Sequence, residues 1–289
     1  MVRGDELWDE GRSVGLPGKT VLLLNPRLPA AWRERVLQAD FPDLRDHVWV
    51  ATSGTGGVLK LVALSRQALE SSAAAVNAHL SSSRADIWLN PLPRFHVGGL
   101  GIAVRAALAG AKFEDFAPWD AERFVQTLEQ AGTTLTSLVP AQVRDLVAGG
   151  WSAPPSLRAA VVGGGELSAG VAQQARDLGW PLCPSYGLTE AASQVATAAL
   201  NASSTDWWPV LPHLEVRVDD TGVLEIRGGS LLTGWMIFPE DAPAIWEDPK
   251  RDGWFRTQDR VALRGPALRV LGRIDDLVKI RGELVDCAA

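Results

Sequence analysis

Apolar and polar positions along this chain follow two regimes, and the change between them falls near residue 200. In the first regime, short apolar runs alternate with longer segments of helical composition. VLLLN (21–25), VWVAT (48–52), DIWLN (86–90), TLTSLVP (134–140) and RAAVV (158–162) read as strands, with another short one near Pro181–Ser185. Between them, PAAWRERVLQA (29–39) carries a proline near a helix start, and SRQALESSAAAVNAHL (65–80) opens on the N-cap candidate Ser65. DAERFVQTLEQA (120–131) has a capped amphipathic pattern, and LGIAVRAALA (100–109), 141–148 and 168–178 complete the helices. PLPRFHVGG, before residue 100, reads as a loop. Strand alternating with helix predicts a mostly parallel sheet flanked by helices.

In the second regime HLEVRVDD, GVLEIRG, RVALRG and ALRVLG form short strands at turn-rich spacing. They predict a smaller, mainly antiparallel, barrel-like unit. The fold class is therefore α/β, with mostly parallel sheets flanked by helices plus an antiparallel β-rich subdomain.

Composition narrows the function. Hydrophobic residues make up 46% of the 289, enough to bury a sizeable core and to argue against disorder. Net charge is −6 with no long basic run, which argues against nucleic acid as the partner, so an anionic ligand must be met by local features. The two cysteines, Cys183 and Cys287, are too few for an all-cysteine metal site, and reduced thiols in a cytoplasmic enzyme are the default. MVRGDELWDEGRSVG is charged, so no signal peptide is expected there, and no apolar stretch approaches the ~18 residues of a membrane helix. Nothing in the chain fixes its oligomeric state.

Four segments carry chemistry. TSGTGGVLK (52–60) follows a strand; its glycines let backbone N–H groups approach phosphates, its hydroxyls donate and Lys60 adds charge. It lacks the G-x-x-x-x-G-K-S/T pattern of a Walker loop, and a plain Ser/Gly hairpin explains it equally well. SYGLTE (185–190) offers a tyrosine to stack on a purine, a threonine for phosphate and a glutamate for Mg²⁺; a strand-to-helix turn is the plainer account. GWFRTQD (253–259) places an acid after a turn, where it can accept both hydroxyls of a ribose or simply face solvent. GRIDDLVKIRGE (272–283) mixes charge with apolar alternation, as an exposed edge strand would.

Their order along the chain decides between these accounts. Together they resemble the ordered motifs of the acyl-adenylate-forming superfamily of acyl- and aryl-CoA ligases, peptide-synthetase adenylation domains and luciferases. Residues 52–60 match T-S-G-S/T-T-G-x-P-K except at Gly56 and Leu59. Residues 186–190 match Y-G-x-T-E, and 272–283 match G-R-x-x-D-x-I/V-K-x-x-G-E. Residues 253–259 match G-W-F/Y-x-T-G-D with Gln258 for glycine. GVLEIRGGSLLTGW (222–235) is similar to a further family stretch, with Val223 and Trp235 as departures.

The resemblance implies roles. Thr52, Ser53, Gly54, Thr55 and Lys60 would surround the β- and γ-phosphates of ATP. Gly163, Gly164, Gly165 and Glu166 would lie beside the adenine, with Tyr186 stacked on it. Thr189 would touch the α-phosphate and Glu190 would reach Mg²⁺. Asp259 and Arg273 would hold the ribose, and Asp275 falls at the hinge. The implied chemistry is attack of a carboxylate on the α-phosphorus to give acyl-AMP, then transfer to CoA. The implied organisation is an α/β adenylate-forming core over 1–200, a β-rich subdomain of the same large domain over 201–272, and a hinge with the stub of a C-terminal domain over 273–289.

The acid pocket also has candidates. PLPRFHVGGL (91–100) and SYGLTEAASQVAT (185–197) look most like the o-succinylbenzoate–CoA ligase branch, which serves menaquinone biosynthesis. That likeness places His96, Gly98, Gly99 and Ser193 at the acid, with His96 able to gate or contact it. Arg105 could pair with a second carboxylate, although a helix-surface arginine is the plainer reading. In this superfamily a small C-terminal domain with a catalytic lysine follows the hinge; its absence before Ala289 leads to the expectation of slow adenylation by this polypeptide. Two alternatives remain: another aryl- or acyl-CoA ligase, or a non-catalytic nucleotide-binding remnant.

Overall fold

The structure is a computed structural model that describes residues 19–52, 58–200 and 207–274 in full, and the backbone of 2–3, 277–280 and 283–286. The first sheet begins with β1 (Val2–Arg3) and β2 (Thr20–Leu23). Helix α1 (Ala30–Gln38) leads to β3 (His47–Ala51), and β4 (Leu59–Ser65) returns antiparallel to β3. β4 has no counterpart in the sequence reading, because it has no polar alternation. Leu61 and Ala63 join one core, Val62 and Leu64 the other, so both of its faces are dry.

Helix α2 (Arg66–Leu80) starts where Ser65 Oγ accepts from the Ala68 N–H at 3.0 Å. Then strand and helix alternate: β5 (Ile87–Asn90), α3 (Val97–Ala109), β6 (Lys112–Asp115), α4 (Ala121–Ala131), β7 (Leu135–Leu138) and α5 (Pro140–Ala148). They continue through β8 (Ala159–Val162), α6 (Ala169–Asp177), β9 (Leu182–Leu188) and β10 (Ser193–Thr197). This second sheet has the order β10-β9-β8-β7-β5-β6 and is parallel except for β10, which folds back on β9.

Helix α3 starts earlier than the sequence pattern implies and takes Gly98 and Gly99 into its first turn. Gly99 has no room for a Cβ, which would run into the Leu92 and Pro93 carbonyls. The glycines signal close packing here, where they were read as loop.

The β-rich part contributes β11 (Trp208–Pro209), β12 (Leu214–Val218) and β13 (Val223–Gly228), then β14 (Gly234–Phe238) and β15 (Ile245–Glu247). β16 (Phe255–Arg264) and β17 (Ala267–Arg273) follow, and β18 (Leu277–Ile280) pairs with β19 (Glu283–Asp286). Five strands form an antiparallel sheet in the order β11-β17-β16-β13-β12, while β14 and β15 extend the first sheet beyond β4.

One core ties the three sheets together. Val50 and Val62 of the first sheet, Leu69 of α2, Val104 of α3, Val195 of β10 and Phe255 of the third sheet belong to it. Phe95, Tyr186, Leu188 and Trp235 pack on its margin. Burial of these side chains, at about 25 cal/mol per Å² of apolar surface, fixes how the loops of different sheets meet.

Candidate functional site

In a parallel sheet, ligand crevices open beyond the carboxyl ends of the strands. At that edge of the second sheet, Gly163–Gly165 follow β8, Tyr186–Leu188 close β9 and Thr189 begins the turn after it. Gly163 lies against Ser185, whose hydroxyl donates to the Val162 carbonyl at 3.1 Å. Gly164 has φ +79°, a conformation suited to glycine. Glu166 beyond it is exposed.

Tyr186 reaches from β9 to the third sheet. Its hydroxyl donates to Asp259 Oδ2 at 2.6 Å. Asp259 and Arg273 are register partners across β16 and β17, with Arg273 Nη1 3.5 Å from Asp259 Oδ1. Burial raises the Tyr186 pKa well above its ordinary value, and the neighbouring Asp259 charge adds to the shift.

Glu190 sits in the turn between β9 and β10, where the Leu232 N–H donates to its backbone carbonyl at 2.8 Å. Burial raises its carboxyl pKa; the charges of Lys60 and Arg273 oppose that shift and Asp259 adds to it. Lys60 Nζ lies 4.3 Å from the Trp235 ring centroid, a cation–π contact between β4 and β14. Lys60, Tyr186, Glu190, Asp259 and Arg273 thus come from distant segments into one charged group. The Thr52 N–H donates to the Lys60 carbonyl at 3.0 Å and so ties the two ends of the glycine-rich loop together. Ser53, Gly54, Thr55 and the hinge residue Asp275 lie outside the described residues.

A second cluster lies behind Glu190. Arg105 is only 2% exposed, which corrects the reading of a helix-surface arginine. Residues 99–106 of α3 are buried all round, so this part of the helix has no wet side for a guanidinium. Arg105 Nη2 donates to Ser193 Oγ at 3.0 Å. With its amide oxygen turned towards Arg105, Gln194 accepts from Nη1 at 3.2 Å and Nη2 at 3.1 Å, and its amide nitrogen donates to Thr197. Arg105 Nε has no partner, and no carboxylate pairs with the guanidinium among the described residues. Burial lowers its pKa to about 10, so it remains a cation at neutral pH. Gly101 sits against Arg105 Nη2 and Ser193 Oγ with little space for a side chain.

The backbone beside this cluster is strained. Ala192 and Ser193 have φ of +51° and +117°, a cost that side-chain residues carry mainly at functional sites. His96 precedes α3; its exposed ring lies 4.6 Å from that of Phe95, and partial desolvation lowers its pKa. Gly98 and Gly99 in the first turn bring this end of α3 down onto Leu92 and Pro93.

The sequence reading missed three supporting residues. Gln194 lay within a quoted motif but had no role. Trp235 registered only as a departure from a pattern. The hydroxyl of buried Thr257 donates to the Leu224 carbonyl at 2.9 Å and accepts from the Asp259 N–H at 3.1 Å, a duty that a lone threonine does not advertise.

Comparisons with known proteins give the family and the fold. The family described as AMP-binding enzyme matches residues 31–234. A 2-succinylbenzoate–CoA ligase of Salmonella typhimurium is 35% identical over 234 residues, covering 80% of this chain and 48% of the relative. The Escherichia coli ligase of the same name is 33% identical, with 80% and 49% covered. An E. coli MenE variant with bound OSB-AMS superposes with a TM-score of 0.77 at 28% identity, covering 92% of this chain and 64% of that one. Bacillus subtilis MenE in complex with ATP and magnesium ion shares the fold, with a TM-score of 0.73 at 22% identity over 92% of this chain and 62% of that one. The chain spans about half the length of the curated relatives it matches. The extent of the family match, which covers more than half of the sequence, shows that this chain belongs to the AMP-binding enzyme family.

Proposed function

We propose that this chain forms the nucleotide- and acid-binding body of an AMP-forming acid–CoA ligase, with o-succinylbenzoate of menaquinone biosynthesis as the acid. The observation that carries the choice of acid is Arg105, a buried cation whose partners among the described residues are all neutral. A second carboxylate would supply the missing counter-charge, and a charge-assisted bond in a dry site is strong. The names of the Salmonella and E. coli relatives support the same substrate.

The chemistry follows from charge. The acid and ATP are both anions, so the site must bring them together. Lys60, Thr52 and the loop residues Ser53, Gly54 and Thr55 take the outer phosphates. Thr189 bonds the α-phosphate. Tyr186 and the Gly163–Gly165 loop, with Glu166, border the adenine, and Asp259 and Arg273 hold the ribose. A carboxylate oxygen of the substrate, oriented by His96, Gly98, Gly99 and Ser193, attacks the α-phosphorus in line. The bond to pyrophosphate breaks, leaving acyl-AMP. The CoA thiol then adds to the acyl carbonyl and AMP departs.

Glu190 fits Mg²⁺, because it is a carboxylate in a shielded site and Mg²⁺ takes one or two carboxylates together with phosphates and water. Among the described residues no cluster of three or more acidic, histidine or cysteine side chains competes for that ion. The metal would draw charge from the phosphate oxygens as pyrophosphate leaves. No helix among the described residues is long and apolar enough to cross a membrane. We place the reaction in the cytoplasm, where a free, buried thiol such as that of Cys183 stays reduced.

Calorimetry with non-hydrolysable acyl-AMP analogues tests this reading. The o-succinylbenzoyl analogue should bind more tightly than the benzoyl analogue, which lacks the second carboxylate. Equal affinity for both removes the case for the dicarboxylic acid. Binding of neither supports a non-catalytic remnant.

A further inference from the structure

A carboxylate that recognises a ribose must keep its lone pairs pointed at the ligand. Asp259 faces a competitor for them. Arg273 stands directly across the hairpin from it, and a guanidinium readily takes both oxygens of a carboxylate as a forked pair. In this structure it does not: Arg273 Nη1 only approaches Oδ1, at 3.5 Å. Oδ2 accepts the short bond from the Tyr186 hydroxyl. The Asp259 backbone is held separately, through Thr257 and the Leu224 carbonyl.

We propose that the Tyr186 hydroxyl is a positioning group for ribose recognition, holding Asp259 turned away from a forked pair with Arg273 and presenting its remaining lone pairs to the sugar. This rests on the nucleotide pocket proposed above and deepens it, because Tyr186 then serves two parts of the nucleotide. Its ring meets the base and its hydroxyl sets the sugar acceptor. An ionised carboxylate offers about four acceptor sites, so one bond from Tyr186 leaves room for two ribose hydroxyls. Without the hydroxyl the carboxylate rotates onto Arg273, and the ribose loses its acceptor even though the aspartate is still there. The raised Tyr186 pKa keeps the phenol protonated and able to donate at neutral pH.

Tyr186→Phe keeps the ring and removes only the hydroxyl. Binding of AMP and of 2′,3′-dideoxy-AMP is measured by calorimetry on the full chain. Wild type should prefer AMP by roughly 10- to 100-fold, the range for hydrogen bonds to a charged group. Tyr186→Phe should bind both about equally, close to the wild-type affinity for the dideoxy compound. A merely structural role for the hydroxyl would weaken both ligands alike and leave the ratio intact, and an intact ratio overturns the proposal.

Tyr186 is the single tyrosine of the sequence, which gives a second route should the phenylalanine variant fail to fold. Fluorotyrosine labelling yields one fluorine resonance, and Asp259→Asn should move it; no movement overturns the contact in solution. A wild-type chain that binds neither nucleotide defeats the pocket itself. One that binds both, with the ratio unchanged in Tyr186→Phe, defeats this inference alone.

Discussion

Arg105 Nη2 and Ser193 Oγ meet at 3.0 Å inside the core, although 88 residues of chain separate them. The contact joins α3 to the strained turn that carries Glu190. It leaves a buried cation, without a carboxylate partner among the described residues, beside the group of side chains that would hold acyl-AMP.

Arg105→Met should separate specificity from stability. Removing the guanidinium relieves its desolvation but deprives Ser193 and Gln194 of a donor. These effects oppose each other, so the unfolding midpoint should move by only a few degrees, roughly 1 kcal/mol for a domain of this size. Affinity for an o-succinylbenzoyl-AMP analogue should fall roughly 10- to 100-fold, while the benzoyl analogue is unaffected. Calorimetry and thermal unfolding on the same preparations read both effects.

Glu190→Gln should give opposite signs for stability and binding. The folded pKa of Glu190 lies above its ordinary value of 4.5. The folded chain therefore holds that proton to higher pH than the unfolded chain. Its stability falls as pH rises from 4.5 through the raised value and stays lower above it. Glutamine carries no such slope. Thermal unfolding over a pH series should show the variant more stable than wild type at neutral pH, with the difference vanishing below 4.5. The same variant should lose the Mg²⁺ dependence of ATP binding.

His213 predicts acid sensitivity. Both ring nitrogens are buried without partners among the described residues, and burial lowers its pKa from 6.5 to about 4. The unfolded chain binds the proton first, so stability is complete above 6.5 and declines as pH falls towards 4. His213→Leu should flatten this part of the stability profile and leave nucleotide affinity unchanged.

Gly187 is required by close approach. A Cβ there would run into the Ser193 carbonyl on the neighbouring strand β10. Gly187→Ala should cost about 1–3 kcal/mol, the usual range for overpacking. It should also weaken nucleotide binding, because Tyr186 and Ser193 are displaced together. Denaturant unfolding and AMP titration measure the two losses.

Local patterns in the sequence carried the strand–helix alternation, and the motif order named the residues that the fold gathers around Asp259 and Glu190. What they could not carry was pairing at a distance. β4 is dry on both faces and offers no alternation to read. β14 joins β4 across a separation of more than 170 residues, so the Lys60–Trp235 contact has no local signature. Arg105 misled for a related reason: an arginine on an apolar helix looks like a surface residue until β10 supplies Ser193 and Gln194. The Asp259–Arg273 pair depends on the register of one hairpin, which a shift at Arg260/Val261 adjusts and composition does not reveal.

The most direct test is a crystal structure of this chain with an o-succinylbenzoyl-AMP analogue. The account predicts adenine between Tyr186 and the Gly163–Gly165 loop, ribose hydroxyls on Asp259 and the free carboxylate within hydrogen-bond distance of Arg105. An adenylate bound elsewhere, or a second carboxylate pointing into solvent away from Arg105, would contradict it.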